Sequence, residues 1–399
     1  MTQNSREYVC EECIEDPDLQ QVVREHLISE ECDYCGREEE SPIACELSDV
    51  IERIRFAVNQ EYTDPRNFVY WDGREGGWQG HPVLDAYELF DEIGLELQNE
   101  DLREDIVGHF FDEEFADEDY WPGPQHEREM TAWERFKQIV KHRRRYTFWS
   151  MGDDESLDFA EIQPNEMLRV IDGTLRSVTL TNVLKPGATF WRVRVHEEDV
   201  TLTQASDFSS PPIEYALYPN RMSPSGVSMF YGTDEFETAV CEVVNPAELE
   251  GKRVSGALFQ NLISLNFLGL TTLPTLTFFC NLERDARQAV RFLRAFTDDI
   301  AQPVKKDRSE HVEYVPTQVF SEYIRYEVKT SSGEPFHGIK YQSSKDGQGC
   351  YVLFVDQAGC LASEEEEERG IPQILELVDG NVKTISADEA DGIVKAITE

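Results

Sequence analysis

The sequence predicts an α+β protein, with a mainly helical N-terminal half carrying a four-cysteine knuckle and a mixed α+β domain behind it. Three features predict this: two CxxC pairs near the start, helical apolar spacing as far as residue 150, and alternating strand patterns from Thr189 onward. A chain of 399 residues exceeds one comfortable hydrophobic core, so several domains are expected. We divide it into a CxxC/CxxC element (1–45), a helical domain (46–150), a linker (151–186), a mixed domain (187–360) and an acidic C-terminal appendage (361–399).

Cys10 and Cys13, then Cys32 and Cys35, form CxxC-x18-CxxC. This spacing lets four thiolates converge on one tetrahedral ion while DLQQVVREHLI between the pairs forms a helix. Zinc is the expected occupant, and a shell of four cysteines leaves no open position, so its role would be structural. Cys45 could replace one of the four, but its lone position in SPIAC fits a small buried side chain better.

LSDVIERIRFAVNQEY places Val50, Ile51, Ile54 and Val58 near one helical face, with Ser48 as its cap. Further helices are expected in HPVLDAYELFDEIGLEL, around DLREDIVGHFF, and in EMTAWERFKQIVKHRRRYTFW after the turn-rich WPGPQ. The DDES run, VTLTNVL and Pro186 read as a linker. Beyond it TFWRVRV, MFYGT and CYVLFVD read as strands, and DEFETAVCEVV and ARQAVRFLRAF as helices. The run SEEEEERG reads as solvated, and the residues after it as a terminal appendage.

A net charge of −42 repels the phosphate backbone of nucleic acids and argues against DNA or RNA as partners. No apolar run is long enough to cross a bilayer, and MTQNSREYVCEEC lacks the basic-then-apolar pattern of a signal peptide. A cytoplasmic setting with no membrane partner follows, in which cysteine pairs point to metal before disulfides.

In NRMSPSGVSMFYGTDEFETAVCEVV, residues 220–244, Arg221 precedes a Ser-Pro-Ser-Gly turn, Tyr231 lies in a short strand and Glu242 on the next helix. Turn, strand and helix can deliver three polar groups to one cleft. The spacing resembles the RES domain, in which an arginine is followed ten residues later by a tyrosine and eleven after that by a glutamate. FWRVRV resembles that family's opening strand, and YVPTQVFSEYI and GIKYQSSKDGQGCYVLF extend the likeness. The family's serine falls on Ser343, with Ser344 the neighbouring possibility and a candidate for binding NAD. Asn220 and Met222 flank the arginine where the family usually has glycine and an aromatic, and the Glu242–Ser343 interval is longer than in minimal members.

The resemblance implies a fold like that of ADP-ribosylating toxins and an enzyme that consumes NAD, commonly the toxin of a toxin–antitoxin pair. Arg221, with Arg192 as a second, would grip the diphosphate of NAD, because guanidinium is a planar fork of donors. Tyr231 would pack against nicotinamide or ribose. Glu242 would steady the oxocarbenium-like cation formed as nicotinamide leaves or hydrogen-bond the ribose hydroxyls, with Ser343 orienting Glu242 or the ribose. NAD glycohydrolase or phosphorylase activity is expected; protein mono-ADP-ribosylation is the alternative. The N-terminal half resembles HEPN-type extensions found before RES domains, and Arg135 with His142 fits the Arg-x4-6-His pattern of HEPN ribonucleases, a third reading. An antitoxin or regulatory protein and self-association are the partners left open.

Overall fold

In the computed structural model, residues 7–152, 161–303, 309–361 and 372–398 are described. The DDES run and SEEEEERG fall outside these residues. The chain divides into two compact units, residues 1–128 with 274–290, and residues 129–273 with 291–399.

In the first unit β1 (Tyr8–Cys10) pairs antiparallel with β2 (Ala44–Glu46), which closes the cysteine-rich segment at its base. Helix α1 (Pro17–Glu25) starts where Asp16 accepts the backbone N–H groups of Asp18 and Leu19, at 2.9 and 3.1 Å. Such a cap is worth about 1 kcal/mol. Helix α2 (Leu47–Val58) buries the predicted face, Val50, Ile51, Ile54 and Val58. Its N-cap position is Glu46 rather than Ser48, because β2 runs straight into the helix and places Ser48 within its first turn. There the Ser48 hydroxyl donates to the Glu46 carboxylate at 3.2 Å.

Two short ribbons follow, β3 (Tyr62–Thr63) with β6 (Ala116–Asp117), and β4 (Tyr70–Asp72) with β5 (Gly77–Gln79). Between them lie α3 (Ala86–Glu92), opened by a capping box of Asp85 and Glu88, and α4 (Glu100–Gly108), capped by Asn99. Leu19, Val23, Ile54, Phe90, Ile106 and Phe110 share one core with Phe279. Phe279 comes from the long interval between Glu242 and Ser343, so part of that extra structure packs with N-terminal residues. Buried Arg287 fixes it by donating to the carbonyls of Leu282, Phe278 and Cys280 at 2.7, 2.7 and 2.6 Å.

The second unit contains most of α5 (Gln125–His142), then α6 (Met167–Ser177), and an eight-stranded sheet in the order β14-β10-β8-β9-β13-β12-β11-β7. Its strands are β7 (Thr181–Leu184), β8 (Thr189–Glu197), β9 (Phe230–Thr233), β10 (Lys252–Asn261), β11 (Leu265–Gly269), β12 (Gly338–Gln342), β13 (Gly349–Leu353) and β14 (Leu375–Ser386). Neighbours run antiparallel except β11 and β12. The helices are α7 (Ala205–Phe208), α8 (Phe236–Val243), the second part of α9 (Arg284–Ala301), α10 (Glu310–Glu313), α11 (Val315–Tyr326) and α12 (Ala387–Thr398).

Two boundaries drawn from sequence differ here. The segment 151–186, read as a linker, supplies α6 and the edge strand β7, which pairs with β11. The segment 361–399, read as an appendage, supplies β14, which pairs along β10 from Arg253↔Ser386 to Asn261↔Leu375. Its alternation is broken by Asp379, Gly380 and Asn381 and hides a strand whose partner is more than a hundred residues away. A Cβ added to Gly256 of β10 would lie 2.5 Å from the Phe236 ring, so glycine there lets α8 lie close against the sheet.

Candidate active site

The strands of the second unit gather the sequence-derived residues around one cavity of about 820 Å³. Arg192, Arg221, Tyr231, Glu242 and Ser344 line it, and Ser343 lies beneath Glu242. A cavity of this volume lies within the usual range of small-molecule sites, roughly 300–1,000 Å³.

Arg221 sits in a tight turn in which the Asn220 amide donates to the Ser223 carbonyl at 2.8 Å. Helix α11 holds this turn by its backbone. Thr317 Oγ1 donates to the Arg221 carbonyl, Ser321 Oγ to the Met222 carbonyl, and Gln318 Nε2 to the Asn220 carbonyl at 2.9 Å. These three donors are polar residues of VPTQVFSEYI, which gives that segment a physical role. Met222 is fully buried where the family has an aromatic, so the apolar anchor is kept. The Arg221 guanidinium donates through Nη1 to the carbonyls of Ile300 and, at 2.8 Å, Gln302.

Tyr231 lies on β9, its hydroxyl 2.9 Å from Ser223 Oγ. Burial pushes its phenol up to about 12, so the ring stays neutral and keeps a proton to donate. Its carbonyl accepts Arg192 Nη1 at 3.0 Å, and the Arg192 guanidinium lies 4.9 Å from the Phe230 ring centre. Burial, and then the like charge of Arg194, lower the pKa of Arg192. Arg194 is two residues on, on the same face of β8; its Nη2 donates to the Ser209 carbonyl at 2.9 Å and its Nε is a buried donor without a partner. Two desolvated guanidiniums beside the cavity form a site of positive potential suited to an anion.

Glu242 projects from α8 and accepts the Ser343 hydroxyl at 2.5 Å. The Lys345 amide donates to that same hydroxyl at 3.1 Å, which fixes its proton towards the carboxylate. Ser343 is buried; Ser344 is exposed at the rim. Sequence reasoning did not single out Arg194, Tyr314 or Tyr341, which also line the cavity. Burial raises the pKa of both tyrosines. Period-two spacing after Arg192 was the available signal for Arg194, and both tyrosines lie in or beside segments that carry the family likeness.

In the first unit Cys10, Cys13, Cys32 and Cys35 come together, their sulfurs within 4.8 Å of one another. Cys10 Sγ lies 3.8 Å from Cys13 Sγ and 3.6 Å from Cys35 Sγ, and Cys13 Sγ lies 3.8 Å from Cys32 Sγ. Tetrahedral zinc with bonds of about 2.3 Å requires sulfurs about 3.8 Å apart, so the set fits a metal ion. The Cys10 amide donates to Cys32 Sγ at 3.3 Å, and Gly36, with φ of +67°, turns the second knuckle. The Cys32 thiol is lowered by its hydrogen bond with Cys13 and by backbone amides. Cys45 is buried outside the cluster, as expected.

Arg135 and His142 both lie on α5. Arg135 is ion-paired to Glu161, and His142 is exposed. No described helix is long and apolar enough to cross a membrane.

Comparison with family models matches residues 25–154 to HEPN/RES N-terminal domain 1 and residues 189–375 to the RES domain. The chain is a RES-domain protein. RES membership is consistent with an enzyme acting on NAD. The RES match ends at Leu375, the first residue of β14, so most of that edge strand extends the sheet beyond the matched segment. No curated protein and no solved structure gives a significant match to the chain.

Proposed function

We propose that the RES domain binds NAD in the 820 Å³ cavity and breaks its nicotinamide–ribose bond, as a glycohydrolase or phosphorylase. One observation carries this reading: Arg192, Arg221, Tyr231 and Glu242 line a single cavity, and Ser343 donates to Glu242 at 2.5 Å. The arginines would engage the diphosphate oxygens, with Arg194 adding charge from the same strand face. Tyr231, neutral and fixed by Ser223, would pack on nicotinamide or ribose and offer one hydrogen bond.

As the C1′–N bond breaks, its electron pair leaves with nicotinamide and positive charge develops on the ribose. The Glu242 carboxylate, oriented by Ser343, would stabilise that charge without moving at the moment of reaction. The ring nitrogen of NAD is already cationic, so no second carboxylate is needed as an acid. Water would then yield ADP-ribose and a proton, and phosphate its phosphorylated form.

Transfer to a protein side chain is the second reading. Its support is the exposure of Tyr215 and Tyr218 at the cavity wall, with Ile213 and Leu217 close in sequence, an apolar rim against which a protein acceptor could rest. Mass-resolved analysis of NAD turnover, with and without phosphate and with candidate proteins, separates the products. An intact NAD pool after prolonged incubation would overturn the reading.

Zinc completes the proposal, held by Cys10, Cys13, Cys32 and Cys35 as a structural cross-link of the first unit. A toxin role in the cytoplasm, opposed by an antitoxin, follows from the family likeness. Co-expression with genomic neighbours, read as relief of growth arrest and recovery of NAD, tests it.

A further inference from the structure

The catalytic reading leaves a second cavity unused. It measures about 360 Å³ and is lined by Trp133, Lys137 and Lys141 of α5, Asp299 of α9, Glu313 and, at its edge, Arg221. Trp133 Nε1 donates to Asp299 Oδ2 at 2.7 Å, and Lys137 Nζ to Asp299 Oδ1 at 2.6 Å. Lys141 Nζ meets Glu313 at 2.7 Å, next to the α11 residues that hold the Arg221 backbone. Asp299 is followed at once by Ile300 and then by Gln302, whose carbonyls accept Arg221 Nη1.

These carbonyls lie at the C-terminal end of α9, where backbone oxygens have no partner in their own helix and the helix dipole favours a cation. A guanidinium is therefore a matched guest, and its place is set by where that helix end is fixed. Buried Trp133 and the Lys137 ammonium fix it through one carboxylate. Trp133 and Lys137 lie in the segment matched by the N-terminal domain, Asp299 in that matched by the RES domain.

We propose that Asp299 is a positioning residue for Arg221, through which helix α5 sets the placement of a guanidinium in the NAD cavity. This rests on the NAD reading above and adds a route by which the N-terminal domain governs substrate affinity. Loosening α5 from Asp299 frees the end of α9, and Arg221 then loses its two carbonyl acceptors together.

The test uses the full-length chain and the variants Asp299→Asn, Lys137→Met and Lys137→Arg. Asp299→Asn keeps an acceptor for Trp133 and removes the charge that ties Lys137 to α9, leaving the Lys137 pair with Glu134 inside α5 at 2.7 Å. We expect KM for NAD to rise about tenfold in Asp299→Asn and Lys137→Met with kcat within about twofold, the pattern of lost uniform binding. Lys137→Arg retains wild-type KM. In parallel, labelling by an arginine-selective dicarbonyl, read by peptide mass spectrometry, should increase at Arg221 and stay constant at Arg192, with an unchanged thermal midpoint.

Wild-type KM together with wild-type labelling at Arg221 in both disruptive variants overturns the inference and leaves the NAD reading standing. A lower thermal midpoint with labelling raised at both arginines also overturns it, because Asp299 then serves only packing. Should wild-type protein leave NAD intact, the NAD reading falls. The labelling contrast between Arg221 and Arg192 then decides the positioning role alone.

Discussion

The cysteine cluster and the cavity proposed for NAD bring side chains together in opposite ways. Four cysteines within residues 10–35 converge through two tight knuckles, one short helix and one two-stranded ribbon. The cavity instead takes Arg192, Arg221, Tyr231, Glu242 and Ser344 from a strand, a turn, a second strand, a helix and a loop. A local ligand set gains its order from whatever it binds; a distributed one must be ordered by the packing beneath it. Substitutions in the first should therefore act on folding, and substitutions in the second on catalysis.

The largest effect is expected from breaking the cluster. Structural zinc in small domains contributes apparent binding free energies of about 10–16 kcal/mol, so Cys10→Ser with Cys35→Ser, or a strong chelator, should unfold much of the first unit. Metal analysis and far-ultraviolet circular dichroism follow this. Protein purified without chelator yet free of zinc would remove the metal half of the comparison.

Glu242→Gln comes next. Removing a preorganised electrostatic partner typically costs about 10²–10³ in kcat, and here bound zinc and thermal midpoint should stay as in wild type. Arg221→Ala follows, since a hydrogen bond to a charged group contributes about 1.5–3 kcal/mol, or roughly 10- to 100-fold, expected mainly in KM. Ser343→Ala should slow turnover by about five- to tenfold, as the carboxylate loses one neutral donor and keeps its charge. Wild-type turnover in Glu242→Gln would break the comparison outright.

The smallest effect concerns pH. Burial holds His337 below its ordinary range, and its Nδ1 accepts the Asn266 amide at 3.0 Å, so the folded state favours the neutral ring. A group depressed on folding contributes stability above its unfolded pKa, near 6.5, and that contribution is lost as pH falls. His337→Gln should flatten the decline of thermal midpoint below neutral pH; an unchanged slope removes His337 as its source.

The cysteine cluster and the apolar face of α2 are legible because they rest on short-range rules. Two CxxC pairs specify a tetrahedral set through spacing alone, and α2 buries its apolar stripe as its 3.6-residue period requires. Ser48 is not the cap of α2, because a polar residue before an apolar run caps a helix only where the backbone is extended, and β2 places that position at Glu46. Family spacing makes Arg221, Tyr231 and Glu242 candidates, while the donors that hold the Arg221 turn, Thr317, Gln318 and Ser321, lie in a segment marked in the sequence by family likeness alone.

By itself the sequence determined the α+β division, the four-cysteine set, the acidic charge that disfavours nucleic acid, and the candidate residues of the cavity. The first three follow from composition, from spacing or from periodicity over a few turns, and the last from the likeness to the RES family. Only tertiary structure decided that Ser343 faces Glu242, that β7 and β14 close the two sheet edges, and that residues 274–290 pack with the N-terminal core. Those outcomes depend on pairing between segments far apart in the chain, where the partner's identity leaves no mark on local spacing.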